Sequence, residues 1–344
     1  MSRATWRYWG VAAASACLVL LLAAFLWGRR ELQRPYSGWQ GDAVVVSLEP
    51  GLAAGSMLQR LEGAGVLRHA RLLRARLVLR GGAERLHAGE YRFEQPISPL
   101  EVLGRLQRGD VWLHPVTLPE GLTLVEVAAR LDEAGFGARE EFLAAFRETE
   151  LVRDLDSEAE DLEGYLFPDT YHFPRGETPD RIAAAMVRRF REVVGESYVA
   201  EAEKVGLDLR GAVILASLIE RETSLSVERG RVSRVFHNRL ERNMRLECDP
   251  TVIYAIARAG RSVERLSRED LTFESPWNTY LVRGLPVGPI ANPGSASLLA
   301  AVRPETGDEV YFVAAPDGGH QFSTTLEEHL RAVREWRRYE RSSR

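Results

Sequence analysis

One carboxylate stands out as a candidate for acid–base chemistry. The stretch Ala212-Val-Ile-Leu-Ala-Ser-Leu-Ile219 is apolar on nearly every side, the pattern of a buried helix, and it runs directly into Glu220-Arg221-Glu222-Thr223. Helical spacing puts Glu220 one turn after Ala216 and two turns after Val213, on the apolar stripe. A carboxyl group placed there would resist ionisation. Raising it by two pK units costs roughly 2.7 kcal/mol of differential solvation, which a low-dielectric pocket can supply. The result is an acid still protonated near neutral pH, able to protonate the leaving oxygen of a glycosidic bond and later to act as base. The competing reading is a structural ion pair at a helix end beside arginine. Glu222 lies two residues on and points elsewhere, so at most one of the two is the acid, and spacing alone does not choose between them.

Several elements must hold that helix. From Tyr8 to Gly28 no charged residue interrupts the chain, a length of roughly 30 Å as a helix, enough to cross a bilayer once. Trp6, Tyr8 and Trp9 at one end and Trp27 at the other resemble interfacial aromatic belts, and Arg29-Arg30 forms a hydrophilic stop. A cleaved signal peptide, or a lipoprotein signal at Ala14-Ser-Ala-Cys17, fits less well because Leu18 to Trp27 stays apolar beyond the cysteine. Arg3 and Arg7 precede the segment while Arg29, Arg30 and Arg34 follow it, so charge does not decide its orientation.

Residues 31–41 read as a short polar linker. Then Ala43-Val-Val-Val-Ser-Leu48 predicts a strand, Glu49-Pro-Gly51 a turn, and the following pattern a helix through Leu58 and Leu61 to Gly65. The same phrase returns seventy residues later as Val116-Thr-Leu118, Pro119-Glu-Gly121 and a helix through Val125, Ala128 and Leu131 to Gly135. It is either two related strand-turn-helix units or a coincidence of a common pattern. Capping boxes at Ser98-x-x-Glu101 and Thr123-x-x-Glu126 mark helix starts, and His87 to Phe93 alternates like a strand. Near the end, Val310 to Val313 and Asp317-Gly-Gly319 predict a hairpin, followed by a surface helix through Leu326, Leu330 and Val333. Short strands among helices, without regular βαβ repetition, predict an α+β fold. The expected division is 1–30 as cytoplasmic tip and membrane anchor, 31–41 as linker, 42–113 as a small α+β module, and 114–344 as a larger α+β domain with a charged C-terminal helix and tail.

Composition narrows the chemistry. The 344 residues, 45% hydrophobic and 27% charged, carry a formal charge of −4, so nothing pulls the whole chain toward nucleic acid. Lys204 is the only lysine, and it sits in the polar run Glu201-Ala-Glu-Lys204, which removes P-loop and Schiff-base chemistry. Two cysteines, Cys17 and Cys248, cannot build a four-cysteine zinc site, and the histidines lack paired ligand spacing, so neither metal nor cofactor is implied.

Taken in order, Ala216-Ser-Leu-Ile-Glu-Arg-Glu-Thr223, Arg234-Val-Phe-His-Asn-Arg-Leu240, Asp249-Pro-Thr-Val-Ile-Tyr254, Trp277-Asn-Thr-Tyr280, Gly284-Leu-Pro-Val-Gly-Pro-Ile-Ala-Asn-Pro-Gly294 and Gly319-His-Gln-Phe-Ser323 resemble the MltG (YceG-like) endolytic murein transglycosylases. Glu163-Gly-Tyr-Leu-Phe-Pro-Asp-Thr-Tyr171 is another phrase of that family. The resemblance covers nearly the whole chain, with a LysM-like module ahead of a YceG-like catalytic domain. It implies that Glu220 is the catalytic acid/base for cutting the bond between N-acetylmuramic acid and N-acetylglucosamine in nascent peptidoglycan glycan strands. The muramoyl 6-hydroxyl attacks its own anomeric carbon, leaving a 1,6-anhydro end and consuming no water. One acid/base serves because the nucleophile is already held at high effective concentration. The resemblance also implies an enzyme of the bacterial cytoplasmic (inner) membrane, N-terminus inside and catalytic domain outside, acting as a terminator of glycan polymerisation beside penicillin-binding proteins and the elongation machinery.

Further residues are expected at the substrate. Asn238 and Arg239, followed by Arg245, are candidates for sugar or peptide polar groups, or a solvated helix face. Asp249-Pro250 reads first as a helix start with proline at its opening position, and second as a substrate contact. The Gly284 to Gly294 segment is a shaped loop. With it, Asn278, Thr279, Tyr280 and Asn292 are expected to line the glycan cleft, and His320 is either a sugar contact or a turn residue. Trp277, Val287 and Glu247-Cys248 depart from the family's usual phrasing. Two other functions stay open: a hydrolytic muramidase using Asp249 or Asp169 as second carboxylate, and a non-catalytic membrane-anchored peptidoglycan-binding scaffold.

Overall fold

The computed structural model describes residues 3–80, 86–263 and 265–342, with side chains from residue 12 onward except that of Arg80. The extreme N-terminal tip, the final residues of the expected tail, and the side chains of Trp6, Tyr8 and Trp9 lie outside the described parts. Helix α1 spans Arg3–Gln33, and its apolar stretch is exposed almost throughout, as a membrane-crossing helix requires. It runs three residues into the expected linker. The rest of that linker is tied down, because Tyr36 and Ile97 exchange backbone hydrogen bonds and the Gly38 N–H donates to Gly65 O at 2.8 Å.

The chain forms two compact units, residues 1–114 with 172–176 and residues 115–171 with 177–344. The first contains α1, β1 (Val44–Leu48), α2 (Ala54–Gly63), α3 (Ala70–Arg80), β2 (Gly89–Phe93) and α4 (Pro99–Arg108). Strands β1 and β2 pair antiparallel with Val46 opposite Tyr91. Their inward residues Val46, Leu48, Tyr91 and Phe93 close a core with Leu58 and Leu61 of α2, Leu73 and Leu77 of α3, and Val102 and Leu106 of α4. The Ser98 capping box starts α4, and Gly109 ends it in the left-handed conformation.

Strand β3 (Leu113–Thr117) pairs with β4 (Thr170–Pro174). The remaining elements are α5 (Leu124–Glu133), α6 (Arg139–Ala145), α7 (Pro179–Val193), α8 (Glu196–Lys204), α9 (Leu209–Glu222), α10 (Arg229–Glu241), α11 (Asp249–Arg258), α12 (Ser295–Val302), the antiparallel hairpin β5 (Tyr311–Ala314) and β6 (His320–Ser323), and α13 (Leu326–Ser342). The sequence repeat is also a repeat of shape. Gly51 and Gly121 each turn with positive φ after their strand, and Gly65 and Gly135 each end their helix the same way. In both units the next N–H, of Val66 or Phe136, reaches back to Leu61 O or Leu131 O.

Helix α9 is the axis of the second unit. Asp208 caps its first turn by accepting from the Gly211 N–H at 2.7 Å, and every residue from Gly211 to Ile219 is buried. It packs against α8, α10, α11 and α12, which explains why its apolar residues surround it rather than forming one stripe. Its Ser217 hydroxyl accepts from the Ile290 N–H at 3.1 Å, fixing the Gly284 to Gly294 loop to the helix flank.

Candidate active site

Glu220 ends the buried run of α9, with its side chain only 6% exposed. One carboxylate oxygen accepts from the Gly294 N–H at 3.0 Å, and the other from Arg229 Nη2 at 3.3 Å. Its surroundings are therefore not the apolar pocket expected from helical spacing. The helix supplies the apolar side, while distant segments supply a polar partner for each oxygen.

Those segments meet for identifiable reasons. The Pro119-Glu120-Gly121 turn is held to the glycine-rich loop by paired backbone bonds, Gly121 N–H to Asn292 O at 2.9 Å and Asn292 N–H to Leu122 O at 2.8 Å. Arg221 Nη1 donates to Gly121 O at 3.0 Å and binds the turn to the end of α9. Glu120 consequently faces Arg229, with its carboxylate 3.8 Å from the same Nη2 that bonds Glu220. Burial and the neighbouring Glu220 charge raise the Glu120 carboxyl above its ordinary value, and Arg229 partly opposes them. A Cβ on Gly294 would collide with the Glu120 carboxylate, so only glycine fits between the two acids as they stand. Arg229 is buried, and its Nε, itself buried, has no hydrogen-bond partner among the described residues. Sequence reasoning missed Glu120, Arg229 and Gly294. The one available signal was the turn of the second repeat, where Glu120 stands in the place of Pro50.

Glu222 points away from this group, as expected, and joins a second one. Burial pushes its carboxyl up to about 7, opposed by a hydrogen bond with Cys248 and reinforced by the charge of Asp249, while His320 and Arg239 also oppose it. Asp249 is exposed at the start of α11 and accepts from the Tyr280 hydroxyl at 2.6 Å. His320 is clasped by Glu228, which accepts from its backbone N–H at 2.8 Å and lies 2.7 Å from its Nδ1. The charges of Asp249, His320 and Arg239 thus act on Glu222, and Tyr280 is tied to Asp249.

The other expected contacts are turned inward. Asn278 donates to Leu271 O and Phe273 O, and Thr279 accepts from the Cys248 N–H and bonds the Thr251 hydroxyl. Both are fully buried. Asn292 accepts from the Gly164 and Leu166 N–H groups and donates to Leu122 O and Glu163. These three brace the loops from within, because a folded loop must satisfy its own backbone groups, and they offer no surface to a glycan. Asn238 donates to Gly307 O and Glu309 O, while Arg239 donates to Val310 O, Leu246 O and Arg245 O. Glu163 is buried beneath the site, accepting from the Leu124 N–H and the Tyr254 hydroxyl, and burial pushes its carboxyl up to about 8. A cavity of about 250 Å³ opens beside Arg221, lined by Thr123, Leu124, Pro250, Ile253 and Ile290.

Comparison with known proteins gives the family. The YceG-like family model matches residues 46–335. An endolytic murein transglycosylase of Bacillus subtilis (strain 168) is 30% identical over 330 residues, covering 91% of this chain and 90% of its own. One from Streptococcus pneumoniae serotype 2 is 27% identical over 83% of this chain, which spans 57% of that longer protein. A crystal structure of a YceG-like protein from Listeria monocytogenes, 29% identical, superposes with a TM-score of 0.57 over 85% of this chain and 99% of its own. With the match extending through α9, the turn at Glu120 and the glycine-rich loop, the chain belongs to the YceG-like family.

Proposed function

We propose that this protein is a peptidoglycan lytic transglycosylase that cuts nascent glycan strands between N-acetylmuramic acid and N-acetylglucosamine, with Glu220 as its acid/base. The carrying observation is the position of Glu220: a nearly buried carboxyl at the end of a rigid helix, with one oxygen on a backbone N–H and the other on an arginine. The naming of the Bacillus and Streptococcus relatives as endolytic murein transglycosylases supports the same reading.

In this mechanism the Glu220 proton passes to the leaving glycosidic oxygen as the bond to the muramoyl anomeric carbon breaks. The muramoyl 6-hydroxyl bonds to that carbon and returns its proton to the carboxylate, so the acid is regenerated without water. Glu220 must therefore alternate between protonated and ionised forms. Arg229 can move its hydrogen bond between Glu220 and Glu120 as that happens. On this assignment Asp249, Tyr280 and His320 are the substrate contacts, and Asn238, Arg239, Asn278, Thr279 and Asn292 position the loops around them.

Helix α1 is the single anchor in the cytoplasmic membrane, with the N-terminus inside and the chain beyond α1 outside. Residues 42–113 are the LysM-like module that holds glycan, and the enzyme ends strands as they are polymerised, beside the synthases. The test is activity of the full chain on uncross-linked glycan strands. Glu220→Gln should abolish cleavage while strand binding persists; cleavage at the native rate would remove Glu220 from the mechanism.

A further inference from the structure

Helix α3 carries a face that the packing of its own unit does not use. Its sequence, ARLLRARLVLR, has four arginines and no acidic residue. Ala70, Leu73 and Leu77 turn into the core. At about 100° per residue the opposite side falls on Arg71, Ala75, Val78 and Leu79, with half-buried Leu72 at its edge, an outward face that is apolar except for one arginine. Val78 is 76% exposed and Leu79 84% exposed. Arg71 falls between Val78 and Ala75, Arg74 borders the face on one side and Arg76 on the other.

The same helix meets α1 at a defined level. A Cβ built on Gly28 would lie 3.4 Å from the Leu72 side chain, and the rings of Trp27 and His69 have centroids 5.7 Å apart. Gly28 is the last residue of the uncharged stretch, and Arg29 is the first charge beyond it. The junction of α3 with the anchor therefore lies where the hydrocarbon of a bilayer ends.

We infer that α3 lies in the headgroup layer of the bilayer that holds α1, with Val78 and Leu79 at the acyl boundary and Arg71, Arg74 and Arg76 on the phosphates of anionic lipids. Three observations converge on a phospholipid surface as the occupant: a helix free of acid, exposed apolar residues on its outer face, and continuity of that face with the anchor. The arrangement fits an interfacial helix, with apolar side chains in the boundary and arginines at headgroup level. It holds the first unit against the membrane surface instead of leaving it to swing on α1. The inference rests on the reading of α1 as a membrane anchor.

The test uses full-length protein in vesicles of phosphatidylcholine with and without phosphatidylglycerol, containing lipids with a quencher near the headgroup or deep in the acyl chain. One preparation carries a fluorophore on native Cys17; another carries it at Leu79→Cys in a Cys17→Ala background, where the remaining Cys248 is buried. The expected result is deep-lipid quenching at position 17 and shallow-lipid quenching at position 79, the latter stronger with phosphatidylglycerol. Each arginine neutralised, as in Arg71→Gln or Arg74→Gln, should weaken the membrane-bound state of α3 about fivefold. Quenching at position 17 without quenching at position 79 overturns the inference and leaves the anchor intact. No quenching at position 17 overturns the anchor, and this inference with it. The lipid dependence of the position-79 label needs no arginine variant, so a variant that folds poorly does not decide the outcome.

Discussion

Replacing Glu120 by glutamine should slow cleavage by about threefold to tenfold. Arg229 Nη2 lies 3.3 Å from a Glu220 oxygen and 3.8 Å from a Glu120 oxygen, so the two carboxylates approach within about 7 Å of each other. Two unit charges at that separation repel by roughly 0.6 kcal/mol in a water-like medium and roughly 2.4 kcal/mol at an effective dielectric near 20. As rate factors these are about threefold and about sixtyfold. Glu120 is 47% exposed on its side chain, and solvent screening favours the lower part of the range, about threefold to tenfold. The sign follows from the proposed chemistry. Glu220 must donate a proton to cleave, and Glu120 favours the proton-carrying form by its own charge and by competing for Arg229. Without that charge, Arg229 answers to Glu220 alone and cleavage slows. Arg221, the other cation at this end of α9, is bonded to Gly121 O. The assay is kcat/KM for release of anhydro-ended fragments from uncross-linked strands. Glu120→Asp should slow it less. An unchanged or faster rate would refute the idea that the two acids share Arg229.

Other consequences follow from the same geometry. Gly294→Ala places a methyl group against the Glu120 carboxylate, a flexible group that can yield, so the protein should fold while its cleavage slows as in Glu120→Gln. A native rate would show that Glu120 has another resting place. Asn292→Ala removes four internal hydrogen bonds and should lower unfolding stability by about 3 kcal/mol, read by denaturant titration; a loss under about 1 kcal/mol would contradict the bracing role. Glu163 has a raised value of about 8 in the folded protein against an ordinary 4.5, so unfolding releases its proton between those limits. Its contribution is full below about 4.5 and is lost as pH rises through about 8, a decline on the order of 5 kcal/mol. Glu163→Gln should flatten that decline, and an unchanged slope would remove Glu163 as its source.

Local patterns were legible because local physics made them. The Thr123 and Ser98 capping boxes, the β5–β6 hairpin and the apolar length of α9 all appear where hydroxyl, glycine and periodic apolar residues placed them. The two strand-turn-helix phrases kept their glycine conformations. Glu220 was legible as a carboxyl at the end of a buried helix, but its partners were not. The Gly294 N–H comes from 74 residues away, and Glu120 arrives on a turn held by backbone bonds that no side-chain pattern announces. Asn278, Thr279 and Asn292 misled for a related reason. A polar residue in a glycine-rich loop has the composition of a ligand contact, yet the loop itself consumed those donors and acceptors. Glu220 and Glu222 separated as helical geometry demands, but only the folded chain reveals that the charges of Asp249 and His320 act on the second.

The central claim is that Glu220 drives an intramolecular displacement rather than hydrolysis. The most direct measurement is mass spectrometry of products formed by the full chain and by Glu220→Gln in heavy-oxygen water. The account predicts 1,6-anhydro ends without solvent oxygen from the native protein and uncut strands from the variant. Reducing ends carrying the heavy oxygen, or equal cleavage by both proteins, would contradict it.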